Sequence, residues 1–224
     1  MKYLLLFFLG LTLLYGCKDG KHETPPGTED TGYVDITELP DSLKYRNHPD
    51  TLLAAANKDS VLKGLTKQVL TLIKQKNYKA LDGFIHDEKG IRLSPYAFVS
   101  SSDKKFSRAQ FLDLFGKNKS KKYTWGTYDG TGDPIVLTAP EYFSKFVYDA
   151  NFLHPEKLEV NSSVGAGNTT NNIKEFYNQE DFTESYFSNS KKTDGLPWKS
   201  VRLVFKEING KYYLVGIVHD QWTI

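Results

Sequence analysis

The chain's best candidates for chemistry stand at or near the ends of its predicted strands. His219 and Asp220 close the last strand in the run His219-Asp220-Gln221-Trp222. Neighbours along a strand point to opposite faces, so these two cannot act as a contacting pair. Strict alternation puts His219 on the face of Arg202, diagonally across a hairpin, and Asp220 opposite Lys199. A histidine beside a guanidinium can be held neutral and used as a base or ligand. The same groups also suit a plain polar cluster that satisfies backbone at a sheet end. Arg92, Ser94 and Tyr96 share one parity of an earlier strand. With Trp125, Tyr128 and Tyr142 they would line a pocket that holds a neutral or anionic ligand by stacking and hydrogen bonds, unless the rings simply fill a core. The candidate binding residues are therefore Arg92, Tyr96, Trp125, Tyr142, Arg202 and His219.

Metal chemistry has weaker claims. Asp129 and Asp133 flank glycines in Asp-Gly-Thr-Gly-Asp, which is half of a calcium loop. Such a loop needs further oxygens and a later bidentate Glu, and Glu141, the nearest, suits a helix cap instead. A tight turn is the simpler reading. A zinc site would need His86, His154 and His219 to converge without any His-Glu-x-x-His spacing. No nucleophile elbow, phosphate loop or dinucleotide fingerprint is present, so neither metal nor cofactor is expected.

Composition narrows the classes further. The 224 residues are 39% hydrophobic and 25% charged, with Lys+Arg 29 against Asp+Glu 27. That is a globular balance with no basic excess to grip nucleic acid. Fourteen Tyr and fourteen Phe can fill a sizeable core, and a single Cys excludes a disulfide framework.

That one cysteine has a distinctive setting. Met1-Lys2-Tyr3 precedes an apolar run from Leu4 to Leu14, the layout of a secretory signal and shorter than the ~20 residues that span a bilayer. The run ends in Leu14-Tyr15-Gly16-Cys17, which resembles the bacterial lipobox. The resemblance implies a signal peptide over 1–16, cleavage before Cys17 and its acylation. Residues 17–33 contain nothing apolar between Cys17 and Tyr33 and read as a flexible tether. The implied partner is a membrane, held through the lipid, with the domain in the cell envelope outside the cytoplasm.

The elements that must position the candidate residues follow from periodicity. Residues 34–59 carry no clear pattern beyond the one or two helical turns that Thr51-Leu-Leu-Ala-Ala-Ala could form. A globular domain is expected over 60–224, opening near Asp59 or Ser60 with a helix whose apolar positions are Val61, Leu65, Val69, Leu72 and Ile73. Ile91 to Val99 reads as a strand. Ser107 with Gln110 and Thr138 with Glu141 form capping boxes that open two more helices. Tyr123 to Tyr128 and Ile135 to Leu137 are strands, the Asn- and Gly-rich stretch 161–172 a mobile loop, and Phe182 to Phe187 another strand. Asn209-Gly210 joins the two longest strands in a hairpin. Paired numbers there should sum to 419, which places Val201, Leu203, Phe205, Leu214, Val218 and a buried Trp222 on the core face.

This order, an α+β chain with N-terminal helices packed on a curved antiparallel β-sheet, resembles the nuclear transport factor 2-like (ketosteroid-isomerase-like) cone, with "LTKQVLTLIKQKNYKALDGFI" (65–85) as its opening helices. In such enzymes a cavity holds a Tyr and shifted carboxylates; Tyr96 and Glu184 would play these parts only if they point inward. The segments "GIRLSPYAFV", "WGTYDGTGDPI", "EYFSKFVYDANF" and "WKSVRLVFKEINGKYYLVGIVHDQWTI" resemble an uncharacterised family of secreted bacterial proteins. That resemblance implies location and fold rather than a reaction. The expected function is a membrane-anchored envelope lipoprotein that binds a small ligand, peptide or partner protein. The alternatives are a hydrolase or isomerase using His219 and a carboxylate, and a module that pairs as a homodimer through an open sheet face.

Overall fold

The computed structural model describes residues 49–167, 169–188 and 198–222; the expected signal peptide, Cys17 and the tether lie outside these residues. The first helix, α1, runs Pro49–Lys74, opening at Pro49 instead of near Asp59. The Leu- and Ala-rich stretch before Asn57 has high helical propensity and carries the helix back without a break. Its buried stripe is Leu62, Thr66, Val69, Leu70 and Ile73, while Val61 is 43% exposed. The apolar face is thus rotated from the expected one, because Thr66 satisfies its hydroxyl inside: it donates to the Leu62 carbonyl at 2.8 Å and meets the Thr183 hydroxyl at 2.7 Å. A short helix α2 (Tyr78–Leu81) and a 3-10 turn (Asp82–Phe84) follow.

Strands β1 (Ile91–Ser94) and β2 (Lys104–Phe106) lead to α3 (Arg108–Phe115). A two-stranded hairpin, β3 (Lys122–Thr127) with β4 (Pro134–Thr138), leads to α4 (Ala139–Phe146). Both expected capping boxes form, at Ser107 with Gln110 and at Thr138 with Glu141. After β5 (Lys157–Val160) and a one-turn helix α5 (Ile173–Phe176) come β6 (Asp181–Ser188), β7 (Trp198–Ile208) and β8 (Lys211–Gln221).

The main sheet has the order β2-β1-β8-β7-β6-β5. It is mixed, not antiparallel as expected, because β1 pairs with β8 in parallel, from Arg92 opposite Gly216 to Ser94 opposite Val218. Most of the domain separates these two strands, so no tight turn dictates their direction.

The hairpin turn forms at Asn209 and Gly210, with φ of 52° and 75°, the left-handed pair a two-residue turn requires. The expected register holds from Ile208 opposite Lys211 to Phe205 opposite Leu214. There it shifts: Val204 faces Gly216, so Val215 has no partner, and beyond this bulge every pair sums to one more than expected. A one-residue shift exchanges faces. Arg202 is therefore opposite Val218, Val201 opposite His219, and Ser200 opposite Asp220. The expected pairing of Asp220 with Lys199 and the shared face of His219 and Arg202 are both overturned.

Both faces of β7 and β8 are covered. One carries the large core, in which Leu203, Phe205, Leu214 and Ile217 pack with α1 and with the rings of Phe111, Trp125, Tyr142, Phe143 and Phe146. The other carries a smaller cluster of Val99, Ile173, Tyr177, Phe182, Val204, Val215 and Val218. Burial at consecutive residues is what a strand covered on both sides shows. Trp222, expected in the core, is only half-buried beyond the end of β8.

Candidate functional site

The structure divides the six candidate binding residues among three environments. Trp125 and Tyr142 belong to the core. Trp125 is 1% exposed and donates its indole N–H to the Leu137 carbonyl at 2.9 Å. Its ring stacks on Tyr142 at 4.0 Å, and the fully buried Tyr142 hydroxyl has no hydrogen-bond partner among the described residues. Burial pushes that phenol well above its ordinary range. These two rings are packing and present nothing to a ligand.

Tyr96 and His219 come together on the helix-covered face. His219 packs edge-on against Phe146 at 5.6 Å. Its Nδ1 lies 3.1 Å from the Pro95 carbonyl oxygen and its Nε2 3.4 Å from Asp149 Oδ1. Both ring nitrogens face acceptor oxygens, and the ring is closed from solvent. Asp149 is the link outward: its Oδ2 is 2.8 Å from Lys199 Nζ. Burial raises the Asp149 carboxyl, but the nearby His219 ring and the Lys199 ammonium outweigh it and hold the group below the ordinary carboxylate range.

Asp149 and Lys199 open onto a cleft of about 710 Å³ that Tyr96, Tyr128, Lys145, Phe146 and Gln221 also line. Helix α4 supplies Lys145 and Phe146, and the β3–β4 turn supplies Tyr128 and Asp129. Lys145 Nζ donates to the Tyr128 hydroxyl at 3.0 Å and lies 4.5 Å from the centre of that ring. Tyr96 accepts the Asp129 N–H at 3.2 Å, and burial raises its phenol despite that bond. The Asp129–Asp133 segment is a turn: the Tyr128 N–H donates to the Asp133 carbonyl at 2.8 Å. Among the described residues no group of three or more His, Cys, Asp or Glu side chains is placed to hold a metal ion.

Arg92 and Arg202 lie on the opposite face. Arg202 is fully buried and its Nη2 donates to Glu184 at 2.9 Å and to Asp220 at 2.8 Å. Its Nε and Nη1 have no hydrogen-bond partner among the described residues. Glu184 also accepts the N–H groups of Val164 and Gly165, so the stretch expected as a mobile loop is tied over this ion trio. Gly165 rests on Trp198, where a Cβ would come within 2.6 Å of the indole. Burial raises the Asp220 carboxyl although Arg202 pulls it down. Glu184 does not point toward Tyr96 and cannot share a site with it.

Asp149, Lys199 and Lys145 are site residues that sequence reasoning missed. Asp149 follows α4 in a segment of irregular conformation, and nothing in its spacing signals His219 as a neighbour. That contact depends on the bulge at Val215, which turns His219 inward.

No family model matches the chain, and no curated protein matches it. The crystal structure of a DUF4783 family protein from Bacteroides ovatus ATCC 8483 is similar to it at a TM-score of 0.30 and 11% identity, over 70% of this chain and 94% of that chain. Among the described residues no helix is long and apolar enough to cross a membrane.

Proposed function

We propose that the protein is a bacterial envelope lipoprotein, anchored through Cys17, whose nuclear transport factor 2-like domain binds a small polar ligand in the cleft beside α4. The observation that carries this reading is the convergence of Tyr96, Tyr128, Lys145, Asp149 and Lys199 on one cleft, with aromatic faces beside a few placed charges, the usual make-up of a ligand site. Helices on one face of the six-stranded sheet support the cone. Cys17 within Leu14-Tyr15-Gly16-Cys17 supports the anchor.

An enzyme built on His219 is the second reading, favoured by the His219–Asp149 approach of 3.4 Å. Binding is preferred because the histidine is sealed from the cleft. Asp149, which does reach the cleft, is held low and is a poor base.

Two measurements test the proposal. Labelled fatty acid should enter the wild-type chain and not Cys17→Ser; equal labelling of both rejects the anchor. A fragment library screened by NMR against the full chain should give hits that shift the signals of Tyr96, Lys145 and Lys199 and weaken at least fivefold in Lys145→Ala. Hits that leave these signals unmoved reject the cleft.

A further inference from the structure

On the sheet face opposite the cleft, a separate cavity of about 240 Å³ is lined by Lys89, Arg92, Lys105, Lys206, Glu180 and Tyr177, with Phe176 and Val215 as its apolar wall. Four cationic side chains meet one carboxylate there. Lys206 and Glu180 match each other at 2.7 Å, which leaves Lys89, Arg92 and Lys105 as uncompensated charge. Neither Lys89 nor Lys105 pairs with a carboxylate among the described residues.

Four further facts make this more than a solvated basic surface. Arg92 and Lys105 are directly opposite each other across β1 and β2, and like charges in that position repel. Arg92 cannot turn away, because its Nη1 is held by the carbonyls of Ser100, Ser101 and Asp103 at 2.9–3.0 Å and its guanidinium lies 5.2 Å above the Phe176 ring. The neighbouring carboxylate, Asp103, is occupied by the Ser94 hydroxyl at 2.6 Å and the Ser100 N–H at 2.9 Å. Finally, Tyr177 is 9% exposed and its hydroxyl has no hydrogen-bond partner of ordinary geometry. Room for that hydroxyl exists only because residue 216 is glycine, where a Cβ would come within 2.6 Å of it. A fixed guanidinium, two ammonium groups and a buried phenol hydroxyl thus stand around one small cavity with no carboxylate left to balance their charge.

We infer that this cavity binds a phosphate-sized oxyanion, held by Arg92, Lys89, Lys105 and the Tyr177 hydroxyl. Several donors from different directions suit a tetrahedral anion with three free oxygens better than a two-oxygen carboxylate. The volume falls below the ~300 Å³ at which drug-sized ligand pockets begin, so the anion is free phosphate or the phosphate monoester of a headgroup whose remainder stays outside. The inference is independent of the cleft reading and shares no residue with it.

The test titrates the full chain with inorganic phosphate at constant ionic strength against sodium chloride, read by NMR shifts and by Tm. Phosphate should give a saturable response, weakened at least fivefold in Lys89→Gln/Lys105→Gln and in Tyr177→Phe, and unchanged in Lys122→Gln on the other hairpin. A second arm compares capture by phosphatidylcholine vesicles with and without phosphatidic acid. Extra capture that phosphate competes away assigns the site to a headgroup; saturable phosphate binding without extra capture assigns it to free phosphate. A response no larger than with chloride, or one lost equally in Lys122→Gln, overturns the proposal.

Discussion

The two faces of the β7–β8 hairpin solve the same packing problem by opposite means. The helix-covered face is filled by rings and aliphatic side chains, and its buried histidine, His219, has an outlet through Asp149 and Lys199. The other face holds a small apolar cluster and then a buried arginine between two carboxylates. Apolar contacts are non-directional, so loss at one of them is shared by neighbours that relax. Buried charges are not forgiving in this way: each depends on a particular partner. Two strands of one hairpin thus carry a tolerant face and a brittle one.

The sharpest way to break that contrast is at Arg202. Arg202→Ala leaves Glu184 and Asp220 buried together without a cation, and should cost ~3–5 kcal/mol, a large part of the ~5–15 kcal/mol a domain has. Urea denaturation measures it. Replacing Arg202, Glu184 and Asp220 together by apolar residues of similar volume should recover most of that loss. If the single variant costs under ~1 kcal/mol, the trio is solvated and the brittle face is a misreading.

Gly165→Ala probes how tightly the 161–167 segment seals the trio. The new methyl would overlap the Trp198 ring at 2.6 Å, and overpacking of this kind costs ~1–3 kcal/mol. An unchanged melting temperature would mean that the segment swings free of Trp198.

The tolerant face is tested by pH. Asp149 sits below its unfolded value, so the stability it supplies is complete above that value, ~3.9, and is lost as pH falls through the folded one. Asp103 and Asp220 are raised by burial and act oppositely: the folded state takes their protons first, which favours folding as pH falls through their folded values. Asp149→Asn should cost about 1–2 kcal/mol at neutral pH, as for a hydrogen bond to a charged group. The difference from wild type should shrink below about pH 4. A gap that persists to pH 2 would assign the loss to packing. The smallest effect is expected at exposed Lys145, where Lys145→Gln should change stability by under ~0.5 kcal/mol whatever it does to ligand binding.

What the sequence made legible is local. Asn209-Gly210 and the two capping boxes are short-range signals, each set by hydrogen bonds within four residues, and all three formed as expected. The parallel pairing of β1 with β8 joins segments far apart in the chain, and no turn chemistry records it. The polar stretch 161–167 reads as a free loop by composition, yet its backbone N–H groups are the partners of Glu184. Its glycines serve close approach to Trp198. Among the site residues, Tyr96 was legible as an aromatic of the expected Ile91 to Val99 strand, which ends at Ser94 just before Pro95. His219 was legible as chemistry but assigned to the wrong face, because strict alternation cannot anticipate the bulge.

That bulge acts as a shim. Gly216 to His219 stand opposite Val204 to Val201, and removing Val215 would keep those partners while turning the ladder into a regular one. Losing the bulge with the residue kept would do the reverse: every pair beyond would slip by one and exchange faces. His219 would then be delivered to the arginine and its carboxylates, and Asp220 to the aromatic interior beside Phe146. A deletion of one codon here leaves the contents of both compartments where they are; absorbing the surplus residue into the ladder would swap them.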